Sequence, residues 1–299
     1  MPFKIGRFCA TLLVMANENL IQHVSDTAIW VATFRARESE KKNPLFHDPL
    51  ARRLAGDRGE KIAAQMPFSK RVEWTVILRT LLIDQMIKEL IADGADTILN
   101  LGAGLDTRPY RMKLPATLRW IEVDYPHLIE YKETVLADEK PLCQLERVKL
   151  DLAQTEARAQ LFARISAESK KVIVLTEGVT IYLPNEVVAS LAQALRAHSN
   201  FSYWITDYLS PQLKSFFERN FRRMKLENSP FRFWPENWEK FYEDLGWKLQ
   251  KMYYIGAEGQ RRGLPPPFTG FMKWFYFFAS AKKKKAINQM SGYAILESK

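Results

Sequence analysis

The sequence predicts an α/β fold, a mostly parallel sheet with helices on both faces. Three observations predict it. Short apolar runs at 97–101, 118–123, 172–176 and 201–206, with a weaker one at 145–150, alternate with helical patterns at 126–138, 154–167 and 185–198. Such βαβ alternation buries a parallel sheet between helices. The first run breaks into Gly102-Ala-Gly104, where two glycines let the backbone pass close to a ligand. An acid, Asp124, then ends the next apolar run about 20 residues later, at what would be the tip of a neighbouring strand.

The elements follow in order. Residues 1–23 are expected to be peripheral. Lys4 and Arg7 ahead of the apolar stretch Phe8 to Ala16 imitate a signal peptide, but nine apolar residues are few for one. Met15-Ala-Asn-Glu-Asn reads better as the start. Residues 26–42 read as a helix capped by Ser25 or Asp26, with Ile29, Ala32, Thr33 and Ala36 on one stripe. Pro44, Asp48 and Pro49 force a turn around 45–47. A second helix spans 70–92 through Ile77, Leu81, Met86 and Leu90, and Gly94 stops it. After residue 210 a helical, aromatic segment runs from Phe216 to Trp238, and strands follow at 246–254 and 292–297. No crossover helix joins these two in the pattern, which predicts an antiparallel pair at the sheet edge. The reading is a single domain over 24–299, with helical lid insertions at about 211–240 and 260–290.

Composition narrows the class. Two cysteines and four scattered histidines give no disulfide framework and no zinc spacing, so a reducing, cytoplasmic setting without a metal is expected. No apolar run approaches the roughly 20 residues that span a bilayer. The net charge of +10 is uneven: from residue 211 onward 17 Lys+Arg stand against 8 Asp+Glu, a balance of +9. That asymmetry suits an anionic partner, whether acidic substrate, membrane surface or nucleic acid, or simply a solvated basic face.

The glycine turn limits the ligand. A dinucleotide site wants a third glycine at the position held by Thr107, and Asp106 would repel a pyrophosphate. A cationic cofactor without phosphates escapes both objections, which favours S-adenosyl-L-methionine. Asp124, Asp151 and Glu177 each follow an apolar run, so three carboxylates would converge on one crevice. Asp124 suits ribose hydroxyls, Asp151 an adenine amino group, and Glu177 the amino-acid end of the ligand. Each could instead cap the helix after it, Asp151 above all. A cation for the ligand's carboxylate could come from Arg79, Arg35 or Arg37, and any of these could equally be a surface arginine.

Several stretches together resemble the leucine carboxyl methyltransferase superfamily, and within it the bacterial polyketide O-methyltransferase-like branch. They are Asn100-Leu-Gly-Ala-Gly-Leu-Asp-Thr-Arg108, Glu122-Val-Asp-Tyr-Pro126, Asp151-Leu152 and Leu175-Thr-Glu-Gly-Val179. Arg35-Ala-Arg-Glu38, Leu45-Phe-His-Asp-Pro49 and Pro230-Phe-Arg-Phe233 extend the likeness over about 24–297. The resemblance implies a Rossmann-like class I methyltransferase fold: a seven-stranded, mostly parallel sheet with an antiparallel last strand, plus helical N-terminal and lid additions. It implies cofactor contacts at Gly102, Gly104, Asp124, Asp151, Leu152 and Glu177, with Arg79 matching the family arginine ahead of the first strand. It leaves Arg35 and Arg37 undecided.

The implied activity is transfer of a methyl group to a carboxylate or acidic hydroxyl of a small molecule. A carboxylate acceptor needs no general base, and His47, His127 and His198 look structural. The rivals are a methyltransferase of protein C-terminal carboxylates and an inactive cofactor-binding interaction module. The basic C-terminal third, including Lys282 to Lys285, could hold an anionic acceptor. Phe271, Trp274, Phe275 and Phe278 share a helical face just ahead of those lysines. The segment 271–285 therefore reads as a peripheral membrane contact, a lid, or an insertion packed on the last strands. No nucleic-acid partner is expected, and the oligomeric state and the acceptor's identity are not encoded legibly.

Overall fold

A computed structural model describes residues 24–66, 69–220, 230–268 and 270–299; the expectations for residues 1–23 lie outside them. Seven strands form one sheet: β1 (Thr97–Leu101), β2 (Arg119–Asp124), β3 (Gln144–Lys149), β4 (Val172–Thr176), β5 (Phe201–Leu209), β6 (Trp247–Tyr254) and β7 (Ser291–Ser298), in the spatial order β3-β2-β1-β4-β5-β7-β6. The ladders from β3 through β5 are parallel, and β7 runs antiparallel to both its neighbours, β5 and β6. The predicted edge pair is therefore antiparallel, but β7 is interior and β6 takes the edge.

Alternation along the strands divides the core into two layers. Leu99, Ile121, Val123, Val174 and Leu296 face α6 (Thr155–Glu168), α7 (Asn185–Arg196) and the aromatic group of Phe233, Trp238, Tyr242 and Trp247. Ile98, Trp120, Ile173, Leu175, Ile205 and Ile295 face α3 (Ser69–Ala92) on the other side. The shorter helices are α4 (Arg108–Arg111), α5 (Pro126–Val135), α8 (Pro211–Asn220), α9 (Trp238–Asp244), α10 (Ile255–Arg261), α11 (Gly270–Phe278) and α12 (Ala281–Asn288). No helix of the described residues is long and apolar enough to cross a membrane.

Two further helices, α1 (Val24–Ser39) and α2 (Pro49–Gln65), pack together against the glycine loop and α5. The sequence reading finds α1 and assigns no element to the residues of α2. Asp48 caps α2 by accepting from the Ala51 N–H, and Pro49 opens it. Two glycines hide the helix from its periodicity. Gly56 kinks it at φ +52°, and Gly59 lies where a Cβ would stand 2.1 Å from Thr33 Oγ1.

The predicted aromatic helix from Phe216 to Trp238 is not continuous. It is α8, residues 221–229 outside the description, an irregular stretch and then α9.

Candidate functional site

The chain runs outward from β1 to β2 and β3, then returns to β4 on the other side of β1, so strand order reverses between β1 and β4. Ligands of open α/β sheets gather at the carboxyl ends of the strands at such a point. A cavity of about 490 Å³ opens there. Gly102, Gly104, Asp124, Asp151, Leu152, Glu177 and Arg79 all line it, and so does Arg35. Arg37 instead pairs with Glu60 on α2 at 2.5 Å, away from the cavity. Of the two N-terminal arginines left open by the sequence, Arg35 is the one at the site.

Gly102 and Gly104 have φ of +69° and +50°, conformations that favour glycine. A Cβ on Gly102 would stand 2.4 Å from Val179 Cγ2, so here glycine is also a condition of packing. The Gly104 N–H donates to Asp124 Oδ2 at 2.6 Å, and the Tyr125 N–H to Asp124 Oδ1 at 2.7 Å. This ties the turn to the tip of β2. Burial nevertheless pushes the Asp124 carboxyl above its ordinary pKa. Asp151 Oδ1 accepts from the Ala153 N–H at 2.9 Å in the turn ahead of α6; the N-cap position of α6 is Gln154, so Asp151 lines the cavity without capping the helix.

Between the glycine loop and β4 lies a buried ion cluster. Arg108 Nη1 donates to Asp106 Oδ2 and to Glu177 Oε2, both at 2.7 Å, and its Nε donates to Asp84 Oδ1 at 2.7 Å. Arg111 also binds Asp84, at 2.6 and 2.8 Å. Arg79 Nε stands 2.7 Å from Glu177 Oε1 but makes no aligned hydrogen bond, which leaves a buried donor unsatisfied. Three acids and three arginines balance. Burial opposes the charge on Asp106 and Glu177, but the arginines win and hold both carboxyls below their usual range.

Asp106 is thus committed to Arg108 and to the Asn100 amide at 3.0 Å, and its expected repulsion of a pyrophosphate is largely offset. The obstacle to a dinucleotide lies elsewhere. Only the four-residue α4 follows the loop, in place of the long helix whose N-terminus receives a pyrophosphate.

The sequence reading missed Arg108 and Arg111 as site residues, although Arg108 falls within the quoted loop motif. It also missed Asp207, at the end of β5, because the strand was expected to stop at 206. Asp207 is buried in the cavity wall, accepts from the Gly178 N–H at 3.1 Å and is pushed up to about 6 by burial. Tyr293 of β7, directly opposite it in the ladder, donates a hydrogen bond to it.

Among the described residues, the basic ones in the cavity wall are Arg35, Arg71, Arg79, Arg108, Arg111 and Arg158. Lys282 to Lys285 are not among the lining residues. Leu213, Phe217 and Phe231, from the first of the two expected lid insertions, line the wall, and no described residue between 260 and 290 is among the lining residues.

Comparison with known proteins agrees with this architecture. The family model for leucine carboxyl methyltransferase matches residues 28–196. A protein of Frankia alni, provisionally named an S-adenosyl-L-methionine-dependent methyltransferase, is 31% identical over 183 residues, covering 58% of this chain and 64% of its own length. A second Frankia alni protein of the same provisional name is 28% identical over 268 residues, covering 82% of this chain and 92% of its own. A crystal structure from Thermobifida fusca, provisionally titled a methyltransferase, superposes with a TM-score of 0.56 at 16% identity, over 93% of this chain and 95% of that one. The chain belongs to the leucine carboxyl methyltransferase family.

Proposed function

We propose that the protein is a cytoplasmic S-adenosyl-L-methionine-dependent O-methyltransferase whose acceptor is a carboxylate or acidic hydroxyl of a small molecule. One observation carries the reading: the glycine turn, Asp124, Asp151, Leu152, Glu177 and Arg79 line a single cavity at the reversal of strand order. The unsatisfied Arg79 Nε and the positive-φ glycines of the turn fit a ligand whose carboxylate lies close to the backbone.

When bound, the cofactor supplies a methyl group on a positively charged sulfur. Asp124 would hold the ribose hydroxyls, Glu177 the amino group, Arg79 the carboxylate, and Asp151 with Leu152 the adenine. The chain's main task is then alignment and exclusion of water, worth up to about 7–11 kcal/mol when geometry is good. Ile181, Leu213, Phe217 and Phe231 add an apolar stretch to the wall, which suits water exclusion. A carboxylate acceptor needs no base. For an acidic hydroxyl, Asp207 at about 6 is suited to accept a proton near neutral pH. On α3, Arg71 faces the cavity two turns before Arg79, about 12 Å along the helix, and offers positive charge for an anionic acceptor.

Titration calorimetry with S-adenosyl-L-methionine, its demethylated product and NAD tests the proposal. Binding of the first two and not the third is expected; absence of binding by the first two would overturn it. A screen of free carboxylic acids and phenols against carboxyl-terminal peptides then separates a small-molecule acceptor from a protein one.

A further inference from the structure

The largest exposed apolar side chains gather on one short helix. In α11, Met272 is 48% exposed, Trp274 60%, Phe275 41%, Phe277 71% and Phe278 66%. Exposure is wider than the single stripe expected from the sequence. It includes Met272 and Phe277, and Tyr276 is the half-buried residue that docks, its hydroxyl 3.1 Å from Asn288 Oδ1 of α12. Asn288 in turn donates to Gln260 of α10 at 2.9 Å, which fixes the pair of helices to the body of the protein.

Charge accompanies the aromatic rings. Lys273 lies within α11 and Lys282 to Lys285 open α12, while no Asp or Glu occurs between Glu258 and Glu297. The lysines share the surface with the rings: Lys283 Nζ lies 5.9 Å from the Phe275 ring centre, and Lys284 Nζ 6.0 Å from that of Phe277. Exposed aromatic side chains flanked by cations, in a stretch of sequence without an acid, match the two layers of a bilayer surface, anionic headgroups above an apolar boundary. An acidic protein partner would match the lysines but would leave the outward rings of Phe277 and Phe278 without apolar cover.

We propose that α11 and α12 dock the protein on the surface of an anionic lipid bilayer, with the rings of α11 entering the headgroup boundary and the lysines meeting lipid phosphates. The surface stands beside the cavity: α12 ends at Asn288, and Ser291 already lines the cavity wall. The inference does not depend on the methyl-transfer reading, because its test needs neither cofactor nor acceptor.

The test is flotation of the full chain with vesicles of phosphatidylcholine alone or with 30% phosphatidylserine, at low and high salt. Binding to the anionic vesicles is expected, weakened by salt, by about fivefold for each lysine of 282–285 changed to Gln, and at least tenfold in Phe277→Glu/Phe278→Glu. Both phenylalanines are exposed, so an unchanged circular-dichroism melt should show that the double variant folds. No binding to anionic vesicles, or equal binding by the folded double variant, would overturn the proposal. So would a concentration-dependent dimer abolished by the double variant without vesicle binding, which would mean a second copy covers this face. Retention on immobilised single-stranded nucleic acid that ignores the phenylalanine changes, without vesicle binding, would also overturn it.

Discussion

Arg108 and Glu177 are 69 positions apart in sequence, yet Nη1 of the first lies 2.7 Å from Oε2 of the second. The contact joins the loop after β1 to the tip of β4, the two strands between which the sheet order reverses. Both sides of the cavity floor are thereby locked by one nearly inaccessible guanidinium. Removing one partner of a buried ion pair costs far more than the pair itself contributes.

Arg108→Met is therefore expected to destabilise the fold by on the order of 3–5 kcal/mol, because Asp106 and Glu177 would each lose a buried counter-charge. Arg111→Met should cost less, since Asp84 keeps its bond to Arg108. Urea denaturation of both variants checks the order. Equal losses would show that the cluster is not centred on Arg108.

The glycine turn makes a graded prediction. Gly102→Ala brings both a positive φ and a Cβ 2.4 Å from Val179, whereas Gly104→Ala meets nothing closer than Ala28 Cβ at 3.4 Å. The backbone term is about 1–2 kcal/mol in either case. Gly102→Ala should thus be the more damaging, in melting temperature and in affinity for the demethylated cofactor. Adding Val179→Ala should recover the difference between the two but not the shared backbone term.

The two N-terminal arginines should separate cleanly. Arg35 is buried, bonds Asp48 at 2.8 Å and donates to the Leu105 carbonyl of the glycine loop at 2.5 Å. Arg35→Met is expected to lower both stability and cofactor affinity by tenfold or more. Arg37 and Glu60 are about a third exposed or more, a setting in which ion pairs are worth about 0–1 kcal/mol. Arg37→Met should leave calorimetric affinity unchanged; a matched loss would show that Arg35 has no special place at the site.

Asp207 gives a pH signature. Burial raises its native value to about 6 from the ordinary 3.8, so the native state holds the proton more tightly than the unfolded chain. Its contribution to stability is fully present below about pH 4 and is lost as pH rises through about 6, on the order of 3 kcal/mol in all. Subtracting the unfolding free energy of Asp207→Asn from that of the native sequence across pH 4–7 should expose this slope. A flat difference would contradict the shift.

What could be read from the sequence follows how local its causes are. Gly102, Gly104, Asp124 and Glu177 are legible because a glycine turn and a strand-tip acid are defined within a few residues. The ion cluster is not, since Asp84, Arg108 and Glu177 come from a helix, a loop and a distant strand, and no periodicity announces their meeting. The helix α2 is hard to read because Gly56 kinks it and Gly59, placed for the close approach of Thr33, interrupts its pattern. The lysines at 282–285 are visible as charge, but only the fold shows that they do not line the cavity. Antiparallel terminal strands were expected, yet nothing local could reveal that the second of them would insert between the first and β5.

That insertion has a consequence for how the molecule is made. β6 leaves the ribosome before β7, yet the only sheet partner it has among the described strands is β7. Until β7 arrives, the edge of β5, with Tyr203, Trp204 and Ile205, is an open apolar ladder on the nascent chain. Completion of this half of the sheet waits through residues 255–290, an interval in which the open edge is available for mispairing.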